Sequence, residues 1–136
     1  MSCIFCRVIR GELGPVLSET SLHVVIADIS PASRGHLLFI PKYHSEKIES
    51  LPDEYLLETL LLMKRAVKIL NFKAYNILQN NGHGQTVPHV HFHLIPYDEE
   101  RNEGLEASFS ASEKARETFS EDVKMYREKL LNLGEK

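Results

Sequence analysis

His89-Val90-His91-Phe92-His93-Leu94-Ile95-Pro96 is the stretch on which the reading of this chain turns. Successive side chains of a β-strand point to opposite faces, so three histidines share one face while Val90, Phe92 and Leu94 line the other. The apolar face belongs in a core, which leaves the imidazole face for chemistry. At about 3.3 Å per residue, His89 and His93 lie roughly 13 Å apart along an extended strand. One tetrahedral ion with bonds near ~2 Å cannot easily take all three from an undistorted strand, although an i, i+2 pair could share a metal. Histidines resting on a solvated sheet face are the plain alternative, and strict alternation makes it the weaker one.

Just upstream runs Asn80-Asn81-Gly82-His83-Gly84-Gln85-Thr86-Val87-Pro88. Asn-Gly is first of all turn chemistry. Two glycines also permit close backbone approach, and Gln85 and Thr86 add side-chain donors, a composition able to cradle an anion such as a phosphate. Neutral imidazole is a good nucleophile, and an ordinary pKa near ~6.5 leaves it mostly neutral at pH 7. A second imidazole alongside can donate to a phosphoryl oxygen. The pairing of turn and strand points to phosphoryl or nucleotidyl transfer through a histidine.

Further out, Leu22–Asp28, His36–Pro41 and Tyr75–Asn80 are short runs rich in Val, Ile, Leu or Phe and bounded by Pro, Gly, Ser or Asn, the marks of strands. From Pro52 to Leu70, Leu56, Leu57, Leu60, Met63, Val67 and Leu70 recur at steps of three and four, the period of a half-buried helix. Ser50 with Asp53 resembles its capping signal. A second helix is expected over 111–133, with Phe119, Val123, Tyr126, Leu130 and Leu133 on one stripe and Ser110 with Glu113 as a capping box. Strands on both sides of one helix, without strict alternation, fit an antiparallel α+β sheet better than a doubly wound parallel one.

At 136 residues and 43% apolar content the chain suits one compact domain. Residues 1–97 hold 9 basic and 8 acidic side chains, net +1, and 98–136 hold 7 and 11, net −4. The break predicts a folded core over 1–97 and an acidic extension over 98–136, its amphipathic helix packed on the same domain or on a partner. An overall charge of −3 argues against a general nucleic-acid binder but leaves room for a single-nucleotide site. No window reaches the roughly 18 unbroken apolar residues of a membrane span, and the N-terminus lacks a secretory apolar core, so a cytoplasmic protein is expected. Cys3 and Cys6, a lone C-x-x-C, are too few for a disulfide scaffold. His23, on a strand, is expected to be a satisfied structural histidine.

The triple alternation resembles the signature of the histidine-triad (HIT) family, His-φ-His-φ-His-φ-φ with φ apolar. The resemblance extends in order through Cys3-Ile4-Phe5-Cys6, Asp28-Ile29-Ser30-Pro31, Gly35-His36-Leu37-Leu38-Phe39-Ile40-Pro41-Lys42 and Asn80-Asn81-Gly82, about residues 3–97. It implies a five-stranded antiparallel sheet extended edge to edge across a homodimer, with the 52–70 helix over the interface. It also implies a hydrolase or transferase that cleaves at the α-phosphate of nucleoside phosphoramidates, dinucleoside polyphosphates or related esters, through a nucleotidyl-histidine and with a purine nucleotide as substrate. Carried onto this chain, His91 is the nucleophile. His93, Gln85 and Thr86 hold the phosphate, with Asn80 facing it, and His36 supports the triad from behind. Asp28 accepts from the ribose hydroxyls, and Phe5, Ile26 and Ile29 form an apolar slot for the base. The catalytic step itself is expected to be free of metal. Similarity to the zinc-bearing, prokaryote-like branch implies one structural zinc on Cys3, Cys6, His44 and His89; a reduced or redox-active C-x-x-C is the alternative. The 80–85 loop is shorter than usual in the family and carries His83, while Pro88 and Tyr97 depart from its pattern. These differences bear on leaving-group preference. A low-turnover nucleotide sensor and a metal-dependent phosphohydrolase are the competing readings.

Overall fold

The computed structural model describes residues 3–135. Five strands form one sheet: β1 (Ser18–Glu19), β2 (His23–Ala27), β3 (Leu37–Pro41), β4 (Tyr75–Leu78) and β5 (Phe92–Pro96). Their spatial order is β1-β2-β3-β5-β4, with every neighbouring pair antiparallel. Helix α1 (Ile4–Ile9) precedes the sheet, and α2 (Asp53–Leu70) joins β3 to β4. This is the expected α+β architecture. β1 carried no apolar run to announce it, being two exposed residues held only by pairing with β2.

The period of two decides what each face meets. Val25, Phe39, Val90, Phe92 and Leu94 pack with Leu51 and with Met63 of α2. Val24, Leu38 and Ile40 point the other way and pack with Phe5 and Val8 of α1. One sheet thus carries two cores, and the register Leu38↔His93↔Leu78 puts His93 on a central strand.

Two boundaries differ from the sequence expectation. Pairing begins only at Phe92, because the chain leaves β3 there and Val90 N–H donates instead to the Ser45 carbonyl at 2.7 Å. His89 and His91 therefore precede β5, although Val90 is still buried in the α2-side core. Helix α2 has Pro52 at its N-cap with no side-chain cap, and Ser50 lies in a 3₁₀ turn, Ile48–Ser50, not at the cap. Asn71 closes that helix in the left-handed region, at φ 55° and ψ 42°.

Chain contacts divide the protein into two compact units, the first ending at Leu105 and the second starting at Glu106. Beyond the charge break at 98, the backbone of Asp98 and Glu103 pairs at 2.9 and 3.2 Å and so extends the first unit. The second unit holds α3 (Glu113–Glu117) and α4 (Phe119–Lys129) in place of one helix over 111–133. Ser112, not Ser110, caps α3 by accepting from Ala115 N–H at 3.1 Å. Thr118 interrupts the run, with φ −96° and ψ 2° and a hydroxyl that donates to Asp122 Oδ2 at 2.6 Å. Among the described residues no helix is long and apolar enough to cross a membrane.

Candidate active site and metal centre

On the α1 side of the sheet, hydrogen bonds assign a proton to each imidazole. His91 Nδ1 lies 2.7 Å from the His89 carbonyl oxygen, which can only accept. The proton is therefore on Nδ1, and Nε2 keeps its lone pair. His91 is 5% exposed, and burial holds its pKa below the ordinary value against the His89 hydrogen bond and Asp28, so the ring stays neutral.

His93 carries the opposite assignment, and the reason lies two residues away in contact order. Ala32 N–H donates to His36 Nδ1 at 3.0 Å. A neutral His36 then has its proton on Nε2, from which it donates to His93 Nδ1 at 2.9 Å. That leaves the His93 proton on Nε2. Burial, reinforced by His91 and His36, pushes the His93 pKa down to about 4. The two rings, 5.0 Å apart between centroids, thus form a lone-pair donor beside a proton donor.

Asp28 accepts from Ser30 N–H through Oδ1 at 2.8 Å. Its Oδ2 lies 3.4 Å from His36 Nε2 and 3.9 Å from His93 Nδ1. Asp28, His36 and His93 are spaced as metal ligands are. Ala32 argues against that use: ligation through His36 Nε2 would push the proton onto Nδ1, facing an N–H that already points there. The trio suits relaying and orienting protons better than holding an ion.

The other candidate residues are less uniform. Gln85 braces its own loop, accepting from Gly82 N–H at 2.9 Å and donating to the Glu46 carbonyl at 2.7 Å. Gly82 and Gly84 adopt φ of 81° and 73°, which the loop requires. Asn80 is half-buried below this turn, and Thr86 and His83 are exposed. Ile29, in the loop after β2, is 96% exposed, Ile26 is half-buried, and Phe5 is almost wholly inside, its ring edge-on to His91 at 4.8 Å. His23, by contrast, is fully buried away from this group, bonded to Glu58 and Thr59 of α2, as a structural histidine should be. The Ala32 amide was invisible in sequence, since a backbone group leaves no residue-type signal.

Cys3, Cys6 and His44 meet at His89, the first histidine of the triad, the ligating atoms of the four all within 4.8 Å of one another. Cys3 and Cys6 Sγ lie 3.5 and 3.6 Å from His89 Nδ1, Cys6 Sγ lies 3.3 Å from His44 Nδ1, and His44 Nδ1 lies 3.0 Å from His89 Nδ1. A tetrahedral ion with bonds of about 2.3 Å to sulfur and ~2.0–2.1 Å to nitrogen asks for edges near 3.5 and 3.3 Å. His89 Nε2–H donates to the Pro41 carbonyl at 2.8 Å, which leaves the Nδ1 lone pair facing the thiols. The set could hold a metal, and the donors fit one. Burial and the Cys3 thiol raise the Cys6 pKa, so a cation would also supply the charge that deprotonates the pair.

An antiparallel sheet that sets one basic imidazole beside one protic imidazole defines a protein built for chemistry on phosphate esters or amides. Comparison with known proteins sharpens the class. The family model described as HIT domain matches residues 14–100. Adenosine 5′-monophosphoramidase HNT1 of Saccharomyces cerevisiae is 41% identical over 135 residues, covering 97% of this chain and 83% of that protein. Its counterpart in Schizosaccharomyces pombe is 48% identical over 99 residues, or 71% of this chain and 74% of that protein. The crystal structure of a histidine triad nucleotide-binding protein from Candida albicans matches with a TM-score of 0.83 at 37% identity, covering 97% of this chain and 99% of that one. The chain belongs to the HIT family.

Proposed function

We propose that this protein is an adenosine 5′-monophosphoramidase that works through a nucleotidyl-histidine on His91. The observation that carries the reading is the opposed proton placement, Nδ1–H on His91 and Nε2–H on His93. The names of the two yeast relatives support it. His91 Nε2 attacks the α-phosphorus, the P–N bond breaks and the amine leaves with a proton taken from solvent. Water then attacks the same phosphorus and returns a proton to solvent, the bond to Nε2 breaks and AMP departs. His93 Nε2–H donates to the phosphoryl oxygens as charge grows on them, and His36 keeps that donor pointed outward. Asp28 Oδ2 accepts from the ribose hydroxyls. Asn80 and Thr86 face the phosphate, with Gln85 shaping the turn that does so, and Ile26 and Ile29, with an edge of Phe5, cover a purine. His83 is left to the solvent side of the leaving group.

The Cys3–Cys6–His44–His89 set would take a structural Zn²⁺, for which the softness and number of its donors suit it; four protein ligands leave no open position on the ion. Surface chemistry supports a homodimer. Tyr75 and Ile77 on the sheet-edge strand β4, with Leu57, Leu60 and Leu61 on α2, are large apolar side chains left exposed in one copy. An unpaired edge strand beside an apolar patch fits sheet extension across a two-fold axis. The stripe Phe119, Val123, Tyr126, Leu130 and Leu133, exposed in the second unit, likewise suits packing on a partner surface.

Incubation with adenosine 5′-phosphoramidate tests the activity. AMP release is expected, with an adenylyl adduct on His91 in quenched samples by mass spectrometry. His91→Ala should lose on the order of 10³-fold or more in kcat while AMP still binds. Equal turnover by the variant would overturn the reading.

A further inference from the structure

On the reading of Cys3, Cys6, His44 and His89 as a metal site, we propose a second chemistry for its cysteines. Cys3 and Cys6 are a dithiol that a peroxide closes to a disulfide, expelling the ion. They stand three residues apart at the start of α1, so both side chains fall on one side of a single turn. Cys3 itself lies outside the helix, in extended backbone at φ −79° and ψ 125°, and can swing toward Cys6. Both thiols are free and half-buried, their sulfurs within 4.8 Å of each other. Cys6 Sγ adjoins His44, which is exposed, and a small oxidant reaches the pair from that side.

Hydrogen peroxide is the one co-reactant the step needs. Metal-bound cysteines are thiolates. Cys6 Sγ attacks a peroxide oxygen, the O–O bond breaks, and the hydroxide released takes a proton from solvent and leaves as water. Cys3 Sγ then attacks the sulfur of the resulting sulfenic acid and its S–O bond breaks. The second hydroxide leaves as water in the same way. Two electrons pass from sulfur to oxygen and two protons are taken up. A disulfide is no longer a thiolate ligand, and two histidines alone do not complete a tetrahedral site.

The effect on the fold follows from where the four donors sit. The metal ties α1 to His44 after β3 and to His89 ahead of β5. A Cys3–Cys6 bond closes a loop within one turn and ties α1 to neither. Helix α1 has six residues and no side-chain cap, so it then keeps its place only through the burial of Phe5 and Val8. His89 stays, because its Nε2–H bond to the Pro41 carbonyl needs no metal. Metal site and redox-active C-x-x-C are thus two states of the same residues.

The full chain, reduced and loaded with Zn²⁺, is titrated with hydrogen peroxide. Zinc release is followed with a weak chromogenic chelator, and the chain by denaturing mass spectrometry and by peptide mapping without reductant. Zinc should leave in step with a mass loss of about 2 Da, the two hydrogens of a dithiol. Tm should fall as far as chelation lowers it, on the order of 5–10 °C. A dithiol reductant with fresh Zn²⁺ should restore both. His44→Ala, which keeps both thiols, should still show the mass loss, and Cys3→Ser should not. Zinc retained at peroxide levels that oxidise free glutathione would overturn the proposal. So would release with both cysteines carried on to sulfinic acids, or with the disulfide formed between two chains. If the reduced chain takes up no Zn²⁺, the metal reading fails and expulsion of an ion fails with it. The wild-type peptide map still decides the disulfide, whether or not either variant folds.

Discussion

At the scale of single residues, His91 and His93 have the same side chain and opposite proton placements, and the difference comes from what each Nδ1 meets. His91 Nδ1 faces a carbonyl; His93 Nδ1 faces the Nε2–H of His36, whose own proton is placed by the Ala32 amide. Two predictions belong here. A nucleophilic imidazole acts deprotonated, and burial lowers the His91 pKa, so the active form persists as pH falls below the ordinary value. The acid limb of kcat/KM should therefore lie below pH ~6.5. A limb at or above that value would contradict the burial argument. His36→Phe removes the donor to His93 Nδ1 and leaves a buried acceptor unpaired, a cost of about 1–3 kcal/mol. Set against the transition state, that is roughly ten- to hundredfold in kcat, with KM little changed, by steady-state kinetics.

Elements place these residues through the two-sided sheet. Strand β5 exposes Phe92 and Leu94 to α2 and His93 to the α1 side, and neither face could be filled without the other. Met63, fully buried on α2, sits in the core that backs the triad. Met63→Ala should lower unfolding free energy by about 2–5 kcal/mol in urea melts, because the sheet cannot collapse into the vacated volume. Activity of the fraction still folded should survive, since Met63 packs on the face of the sheet opposite His93. The element edges were the part least legible in sequence. The break at Thr118 and the late start of β5 depend on a hydroxyl finding Asp122 and on Val90 finding Ser45, and neither partnership has a periodic signature.

For the whole molecule, acid sensitivity follows from how many histidines are buried. Burial lowers the pKa of His23, His36, His91 and His93. Their unfolded values are near 6.5, so between the lowered values and about 6.5 the unfolded chain binds more protons. Stability is then full above pH ~6.5 and declines as pH falls through that window. The urea midpoint at pH 5.5 should be below that at pH 7.5; an unchanged midpoint would show the rings exposed. Metal binding acts on the same balance. If the Cys/His set is loaded at about a hundred times its Kd, the ion adds ~2.7 kcal/mol, so chelation should lower Tm by on the order of 5–10 °C, restored by Zn²⁺ and not by Mg²⁺.

Alternation alone determined that Val90, Phe92 and Leu94 would share one core and that the histidines between them would face the other side, because a period of two sends successive side chains to opposite faces. The helix period over 52–70 was equally local, and the order of strands and helix was legible from such periods, whereas the set Cys3, Cys6, His44 and His89 was legible only through the family resemblance. Tertiary structure alone decided which nitrogen of each imidazole holds the proton, that Phe5 lies against His91, and that Gln85 braces its loop. Those outcomes rest on the Ala32 amide, the His89 carbonyl and the Glu46 carbonyl, groups every residue carries. Main-chain donors and acceptors acquire meaning only once folding sets them within about 3 Å of a particular side chain.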